Sequence, residues 1–270
     1  MSTSVNSPTQ PSDLVRDSEE RLPAMLADLA RVIGVETPSS DKAAVARGAS
    51  DFADLLRERL GAEAELLTVD GVTHVRLRFG DGPPRVVLLN HQDTVWPHGT
   101  IERLPFSTEN GMVRGPGSFD MLTGAIMSVH AVAILADRLG EGGLEGLSIL
   151  ITGDEEVGSV SSSDLIRAEA AEANAVFVME ASADGALKLE RKGTGIYTLV
   201  FRGRASHAGL EPEKGVNAGM ALALTLPLVA GLSDAEAGTT VVPTTITAAT
   251  TSNTVPAEAR VSVDVRARTA

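Results

Sequence analysis

The sequence contains no cysteine. Disulfides, thiolate-held zinc and a cysteine nucleophile are thereby excluded, and any metal must be held by His, Asp or Glu. Positive charge is scarce too: 23 Lys and Arg stand against 36 Asp and Glu, a net charge of −13. Nucleic acid and anionic membrane both require cationic contacts, so neither is expected as a partner. No basic start leads into an apolar segment at the N-terminus, and no uninterrupted apolar run of about 18 residues suggests a membrane span. A cytoplasmic protein with a disordered leader over residues 1–17 is expected. Internal repeats are missing as well.

What is present suffices for a sizeable core, since 43% of the 270 residues are hydrophobic. Glu20–Gly34 has helical apolar spacing, and Asp41–Leu60 reads as a second helix with Asp41 as N-cap and Gly61 just past its end. Ala64–Phe79 reads as a hairpin turning at Asp70-Gly71. Three nearly continuous apolar runs then follow, Val86–Leu89, Leu147–Ile151 and Ala175–Met179. Runs without alternation suit strands buried on both faces of a parallel sheet. Helices over Thr123–Leu139 and Ser163–Glu172 separate them, which makes βαβαβ and an α/β layered domain. Past Arg191 a β-α-β-β order reads as a second, α+β domain: a strand at Ile196–Arg202, a helix at Gly215–Leu232, and two strands within Thr239–Arg268 turning near Pro256.

Each apolar run ends in ligand-type residues: Asn90-His91-Gln92-Asp93 after the first, Asp154-Glu155-Glu156 after the second, Glu180 after the third. In open α/β sheets, ligands bind beyond the carboxyl ends of the strands. His91 offers an imidazole nitrogen to zinc. Asp93, two residues on, can accept the other ring N–H and orient it. Asp120, after the Gly115-Pro116-Gly117 turn, has two oxygens that could bridge two ions. Of the adjacent Glu155 and Glu156, one can ligate metal while the other takes a proton from water, as amide hydrolysis requires. Singly, each piece has an ordinary reading as a turn or a solvated surface. Their convergence on strand ends favours a metal site.

The other histidines divide. His74, on the polar side of the hairpin, is expected to be exposed; His130, mid-helix, reads as a packed or surface residue, and His98 sits in a Trp96-Pro97 loop. His207, after a strand of the second domain, invites a functional reading.

Several stretches together resemble the M20 metallopeptidases, most closely the glutamate carboxypeptidases of the carboxypeptidase G type. They are HQDTVWPHGTI (91–101), GPGSFD (115–120), GDEEVGS (153–159), Glu180, RASHAG with PEKGVNA (204–218), and SNTVPA with DVR (252–266). The resemblance implies a three-layer αβα, zinc-exopeptidase-like catalytic domain over 18–190, with an inserted smaller α+β lid and dimerisation domain, truncated here, over 191–270. It implies two Zn²⁺, other divalent ions being possible. One ion would be held by His91, Asp120 and Glu180 with Asp93 supporting, the other by Asp120 and Glu156, with Glu155 as general base. It implies a cis peptide after Asp120, His207 as oxyanion stabiliser reaching into a partner's site, and Asn253 and Arg266 binding a substrate carboxylate. Read locally, Arg266 is a surface arginine on an edge strand.

Two departures stand out. The family commonly has a lysine and a glycine-rich start after the bridging aspartate, where this chain has Met121-Leu122-Thr123-Gly124; altered local packing is expected. Family members also run on well past the position of Ala270 and supply a last histidine to the ion shared with Glu156. The chain is therefore expected to be a fragment or a truncated, impaired product. The expected activity is hydrolysis of a small peptide or N-acyl amino acid by a homodimer joined through the lid. The alternatives are a deacylase of the acetylornithine deacetylase or succinyl-diaminopimelate desuccinylase type, or a non-catalytic remnant.

Overall fold

The computed structural model describes residues 10–140, 142–249 and 251–268. The chain divides into two compact units between Ala181 and Ser182. That point lies upstream of Arg191 because residues 182–192 cluster with the second unit.

The first unit opens with α1 (Pro11–Ile33) and α2 (Lys42–Leu60). The disordered leader expected through Asp17 does not hold over residues 11–17, which are helical; residues 1–9 lie outside the described residues. Pro11 occupies the first helical turn, where its missing N–H costs nothing. Asp17 then pairs with Arg138, and Arg21 with Asp137. Those contacts extend the helix where apolar spacing gave no signal. At α2, Asp41 Oδ1 accepts from Ala43 N and Ala44 N at 3.0 and 3.1 Å, and Gly61 ends the helix at φ 65°.

A hairpin follows, β1 (Glu65–Val69) and β2 (Val72–Arg78), then β3 (Val86–His91). After a short α3 (Thr100–Arg103) comes a small hairpin, β4 (Ser107–Glu109) with β5 (Met112–Arg114). The unit ends with α4 (Thr123–Leu139), β6 (Leu147–Thr152), α5 (Ser163–Ala170) and β7 (Ala175–Val178). The sheet order is β1-β2-β6-β3-β7. Strands β6, β3 and β7 are parallel, while β2 joins β6 antiparallel, so a hairpin extends the parallel βαβαβ core.

One face of this sheet is apolar. Leu29, Val32 and Ile33 of α1, Phe52, Leu55 and Leu56 of α2, and Ala125, Ile126 and Val129 of α4 pack with Val75, Leu77, Ile149 and Ile151. Each large side chain buried here contributes about 1.5–3 kcal/mol. The segment Ser118–Leu139 is long and apolar enough by composition to cross a membrane, although polar residues interrupt it. In the fold, α4 within it supplies core residues to this apolar face.

The other face is polar. Glu169 of α5 accepts from Arg78 Nε at 2.8 Å and from Ser148 Oγ at 2.5 Å, fixing α5 across β2 and β6 as the third layer. Burial on both faces holds for β6 but not for β7, where Val176, Phe177 and Val178 are 39–56% exposed. As the last strand in the sheet order, β7 has a neighbour on one side only among the described residues.

The second unit has three antiparallel strands in the order β8-β10-β9: β8 (Gly193–Arg202), β9 (Thr240–Ala248) and β10 (Glu258–Ala267). Helix α6 (Ala218–Ala230) packs Ala218 and Leu222 onto Val241, Ala259, Val261 and Val263. Met220, Leu224 and Leu228, spaced by one helical turn, stay 58–72% exposed.

Candidate metal centre

His91 is the last residue of β3 and pairs with Thr152, the last of β6. Because the strands are parallel, their carboxyl ends deliver residues 91–93, 153–156 and 180 to one rim. The His91 side chain is 1% exposed, and its Nε2 lies 3.1 Å from Asp120 Oδ1, 3.5 Å from Glu180 Oε1 and 3.8 Å from Glu155 Oε2. One ligand atom each from His91, Glu155 and Glu180 lie within 4.8 Å of one another. Asp120 therefore stands nearest to His91, while Glu155, to which the resemblance assigns proton transfer, also falls within ligand range.

Asp93 organises this rim. It is fully buried; its Oδ2 accepts from Ser39 Oγ at 2.6 Å and from Glu156 N at 3.2 Å, and its Oδ1 accepts from Glu155 N at 3.1 Å. Anchoring the two backbone amides leaves both glutamate side chains free to face outward. His91 Nδ1 lies 3.0 Å from the Asp93 carbonyl and 3.5 Å from its Oδ1. That contact leaves Nε2 turned toward the carboxylates.

The electrostatics show what the rim requires. Burial disfavours a charged His91, but the carboxylates of Asp93 and Glu180 accept hydrogen bonds from the ring, and Asp93 and Glu155 add negative charge. Together they push its pKa up to about 11. Glu155 is raised by burial first, then by repulsion from Glu180, Asp93 and Asp120. Glu156 is raised by burial and then by Asp120. Carboxylates that repel one another around one imidazole stabilise positive charge at that point. A His and carboxylate donor set fits a zinc-type divalent ion, so the residues present fit the metal the resemblance implies.

The Asp120–Met121 peptide is cis, as expected. Asp120 has extended angles (φ −125°, ψ 100°) inside the turn Ser118–Leu122 that precedes α4.

His74, expected to be exposed, is fully buried. Its ring accepts from Gly153 N at 3.2 Å and contacts Ser161 Oγ at 3.2 Å. The hairpin's second face is covered, which alternation alone does not reveal. His130 is buried and lies 2.8 Å from Asp28 Oδ2, a packed residue away from the rim. His98 is half exposed and pairs with Asp41.

Within the second unit, His207 is exposed, and its Nδ1 accepts from Gly209 N and Leu210 N, both at 3.1 Å. That occupancy puts the ring proton on Nε2 as an outward donor. Asn253 is exposed, and its carbonyl accepts from Ala208 N at 2.9 Å. Arg266 lies on the central strand β10, not on an edge, because β8 and β9 flank it on both sides. Its guanidinium forks onto Asp264 at 2.8 and 3.0 Å.

Residues 189–270 match the peptidase dimerisation domain of the M20 family. Over 261 residues the chain is 31% identical to carboxypeptidase G2 from Pseudomonas sp. (strain RS-16), covering 94% of this chain and 62% of that protein. The chain is thus similar to M20 peptidases.

Another M20-type relative is succinyl-diaminopimelate desuccinylase from Anaplasma marginale (strain Florida), 36% identical over 115 residues, 40% of this chain and 29% of that one. The chain thus spans less than two thirds of the length of these relatives. Among solved structures, an M20 family metallo-carboxypeptidase from Sulfolobus solfataricus aligns with a TM-score of 0.67 at 17% identity, covering 90% of this chain and 71% of that one. Human carnosine dipeptidase 1 aligns at 0.64 and 15%, covering 94% and 72%. At such identities the likeness establishes the M20 fold alone.

The departure from the M20 pattern after Asp120 has a packing counterpart. Met121 is 2% exposed, and its sulfur accepts from His91 N at 3.2 Å. Gly124 is required because a Cβ there would stand 1.9 Å from the Met179 carbonyl oxygen. Helix α4 can therefore close on the segment that carries Glu180.

Proposed function

We propose that the chain carries the metal-binding part of a dinuclear, zinc-dependent amide hydrolase of the carboxypeptidase type, releasing a C-terminal glutamate-like residue. The observation that carries this reading is the placement of His91 Nε2 within 3.1–3.8 Å of three carboxylates drawn from separate segments. His91, Asp120 and Glu180 would hold one ion, and Asp120 with Glu156 the other. Bound ions would supply Lewis acidity toward a carbonyl and acidify water. Glu155, half exposed at the rim, takes the proton from the attacking water and returns it to the departing amine. Asp93 holds the Glu155 amide and keeps that carboxylate in place. The Nε2–H of His207 is assigned to the oxyanion, and Asn253 with Arg266 to the substrate carboxylate, which would replace Asp264 on the guanidinium fork. The resemblance in their motifs supports these three roles.

The reading is tested by Zn²⁺ titration and by assaying N-acyl-glutamates and glutamyl dipeptides. One ion should bind more tightly than the other, at His91, Asp120 and Glu180. Two equally tight ions would contradict the ligand assignment. Failure to cleave any glutamyl substrate would remove the carboxypeptidase assignment. A second reading, an N-acyl amino acid deacylase, is favoured by the desuccinylase relatives; cleavage of N-succinyl but not glutamyl substrates would select it. The match to a dimerisation domain and the exposed stripe of Met220, Leu224 and Leu228 support a homodimer formed through α6.

A further inference from the structure

Behind the rim, on the polar face of the sheet, lies a line of buried side chains that the proposed chemistry does not use. His74 is 0%, Asp154 2% and Ser161 7% exposed. Their hydrogen bonds have a direction. The Gly153 amide donates to His74 Nδ1 at 3.2 Å, so Nδ1 must be an acceptor and the ring proton sits on Nε2. Nε2–H then donates to Ser161 Oγ at 3.2 Å, and the Ser161 hydroxyl donates to Asp154 Oδ2 at 2.7 Å. The Ser161 amide reaches the same oxygen at 2.6 Å and the Ser162 amide at 3.2 Å. The chain begins on Gly153 and ends on Asp154, the two residues that lead into Glu155 and Glu156. Gly153 is itself held tightly, since a Cβ there would meet Val45 Cγ1 at 2.5 Å and the Thr73 carbonyl at 2.8 Å.

We propose that His74, acting through Ser161 and Asp154, is a positioning residue for the Glu155–Glu156 turn. It sets the direction in which those carboxylates meet a divalent ion. Asp93 grips the turn through the Glu155 and Glu156 amides, and the His74–Ser161–Asp154 chain grips it from β2 and the segment before α5. With both grips the turn has one orientation; with Asp93 alone it can rotate about its own amides. The inference rests on the metal-site reading above, because it concerns how that site is aimed.

The test uses the full chain with Zn²⁺ by titration calorimetry and Co²⁺ by visible absorption, whose ligand-field bands report coordination geometry. Ser161→Ala cuts the chain with little change in volume. His74→Asn keeps an acceptor near Gly153 but cannot reach Ser161. Each single variant should weaken Zn²⁺ binding by about tenfold or more and move the Co²⁺ bands. The double variant should be no worse than either single one, because both break the same chain. Wild-type affinity and an unmoved Co²⁺ spectrum in Ser161→Ala would overturn the proposal, as would fully additive losses in the double variant. If His74→Asn fails to fold, Ser161→Ala decides alone. A wild-type chain that binds no Zn²⁺ removes the metal reading and this inference with it. A wild-type chain that binds, beside a Ser161→Ala that binds identically, removes this inference only.

Discussion

Replacing Asp93 by Asn probes the rim at its anchor. The carboxylate accepts from Glu155 N on one oxygen and from Glu156 N and Ser39 Oγ on the other, and it also favours the charged form of the His91 ring. An amide has one carbonyl oxygen, which will turn toward the side with two donors. Its NH₂ then faces the Glu155 amide, donor against donor. Losing a hydrogen bond to a charged acceptor in a fully buried position costs about 1.5–3 kcal/mol. The two bonds that remain also weaken, since charge-assisted bonds are roughly twice as strong as neutral ones. Against this, removing one negative charge relieves repulsion from Glu155, whose side chain is 47% exposed, so solvent screens the relief to about 1 kcal/mol at most; the attraction to the His91 ring is lost with it. Hydrogen bonding wins, and the net destabilisation is about 2–4 kcal/mol.

Trp96, the only tryptophan, lies in the first unit, so its fluorescence during urea unfolding reports that unit. At about 2–4 °C per kcal/mol for a unit of this size, the thermal midpoint should fall by roughly 5–15 °C. Zn²⁺ affinity should fall by about 10–100-fold, because the turn carrying Glu155 and Glu156 loses an anchor. An unchanged urea midpoint together with unchanged Zn²⁺ affinity would refute the role given to Asp93.

Further expectations attach to other residues. Glu155→Gln should keep Zn²⁺ binding within severalfold while lowering turnover by about 10²–10⁴; a variant that binds metal and turns over normally would place the base elsewhere. Glu169→Gln removes the charge that pairs with Arg78 and one of its two acceptor oxygens, and should cost about 3–5 kcal/mol at neutral pH. Burial raises the Glu169 pKa, but Arg78, Ser148 and Arg76 outweigh it and hold it below the ordinary carboxylate value. Its ionic contribution is therefore complete above about pH 4.3 and is lost as pH falls through the lower folded value. The gap between wild type and Glu169→Gln should narrow on acidification, and a gap that widened would reverse this sign. Leu224→Glu, at a position 72% exposed, should leave unfolding of the chain within about 0.5 kcal/mol while shifting sedimentation toward monomer.

Features written in local chemistry were legible in the sequence. Helix α2 is bracketed by the Asp41 cap and Gly61, and α4 spans Thr123–Leu139, between two of the apolar runs, as expected. The rim was legible for a related reason. In parallel strands the residue after an apolar run must emerge at the carboxyl edge, so His91 and Glu180 could be placed without any contact map. The start of α1 was not legible, because Asp17 and Arg21 are paired with residues more than a hundred positions away.

His74 shows where local reading stops and why. The alternation of β2 assigns Val75 and Leu77 to one face and His74, Arg76 and Arg78 to the other, and that assignment is correct. The step from polar face to exposed face is what fails, since it presumes that water covers whatever the hydrophobic core does not. Here the second face is covered by α5 and by the turn that carries Glu155 and Glu156, and its cover is polar: Glu169 on the arginines, Ser161 and Gly153 on the histidine. Buried polar groups persist only when each finds a partner, so a polar face under a third layer must be read as a set of pairs. The partners of His74 lie 79 and 87 residues downstream, one at each end of the segment that aims the two glutamates. An apolar cover would have served stability alone. A directional chain of hydrogen bonds also fixes orientation, and orientation is what a metal-binding turn at the edge of a sheet requires.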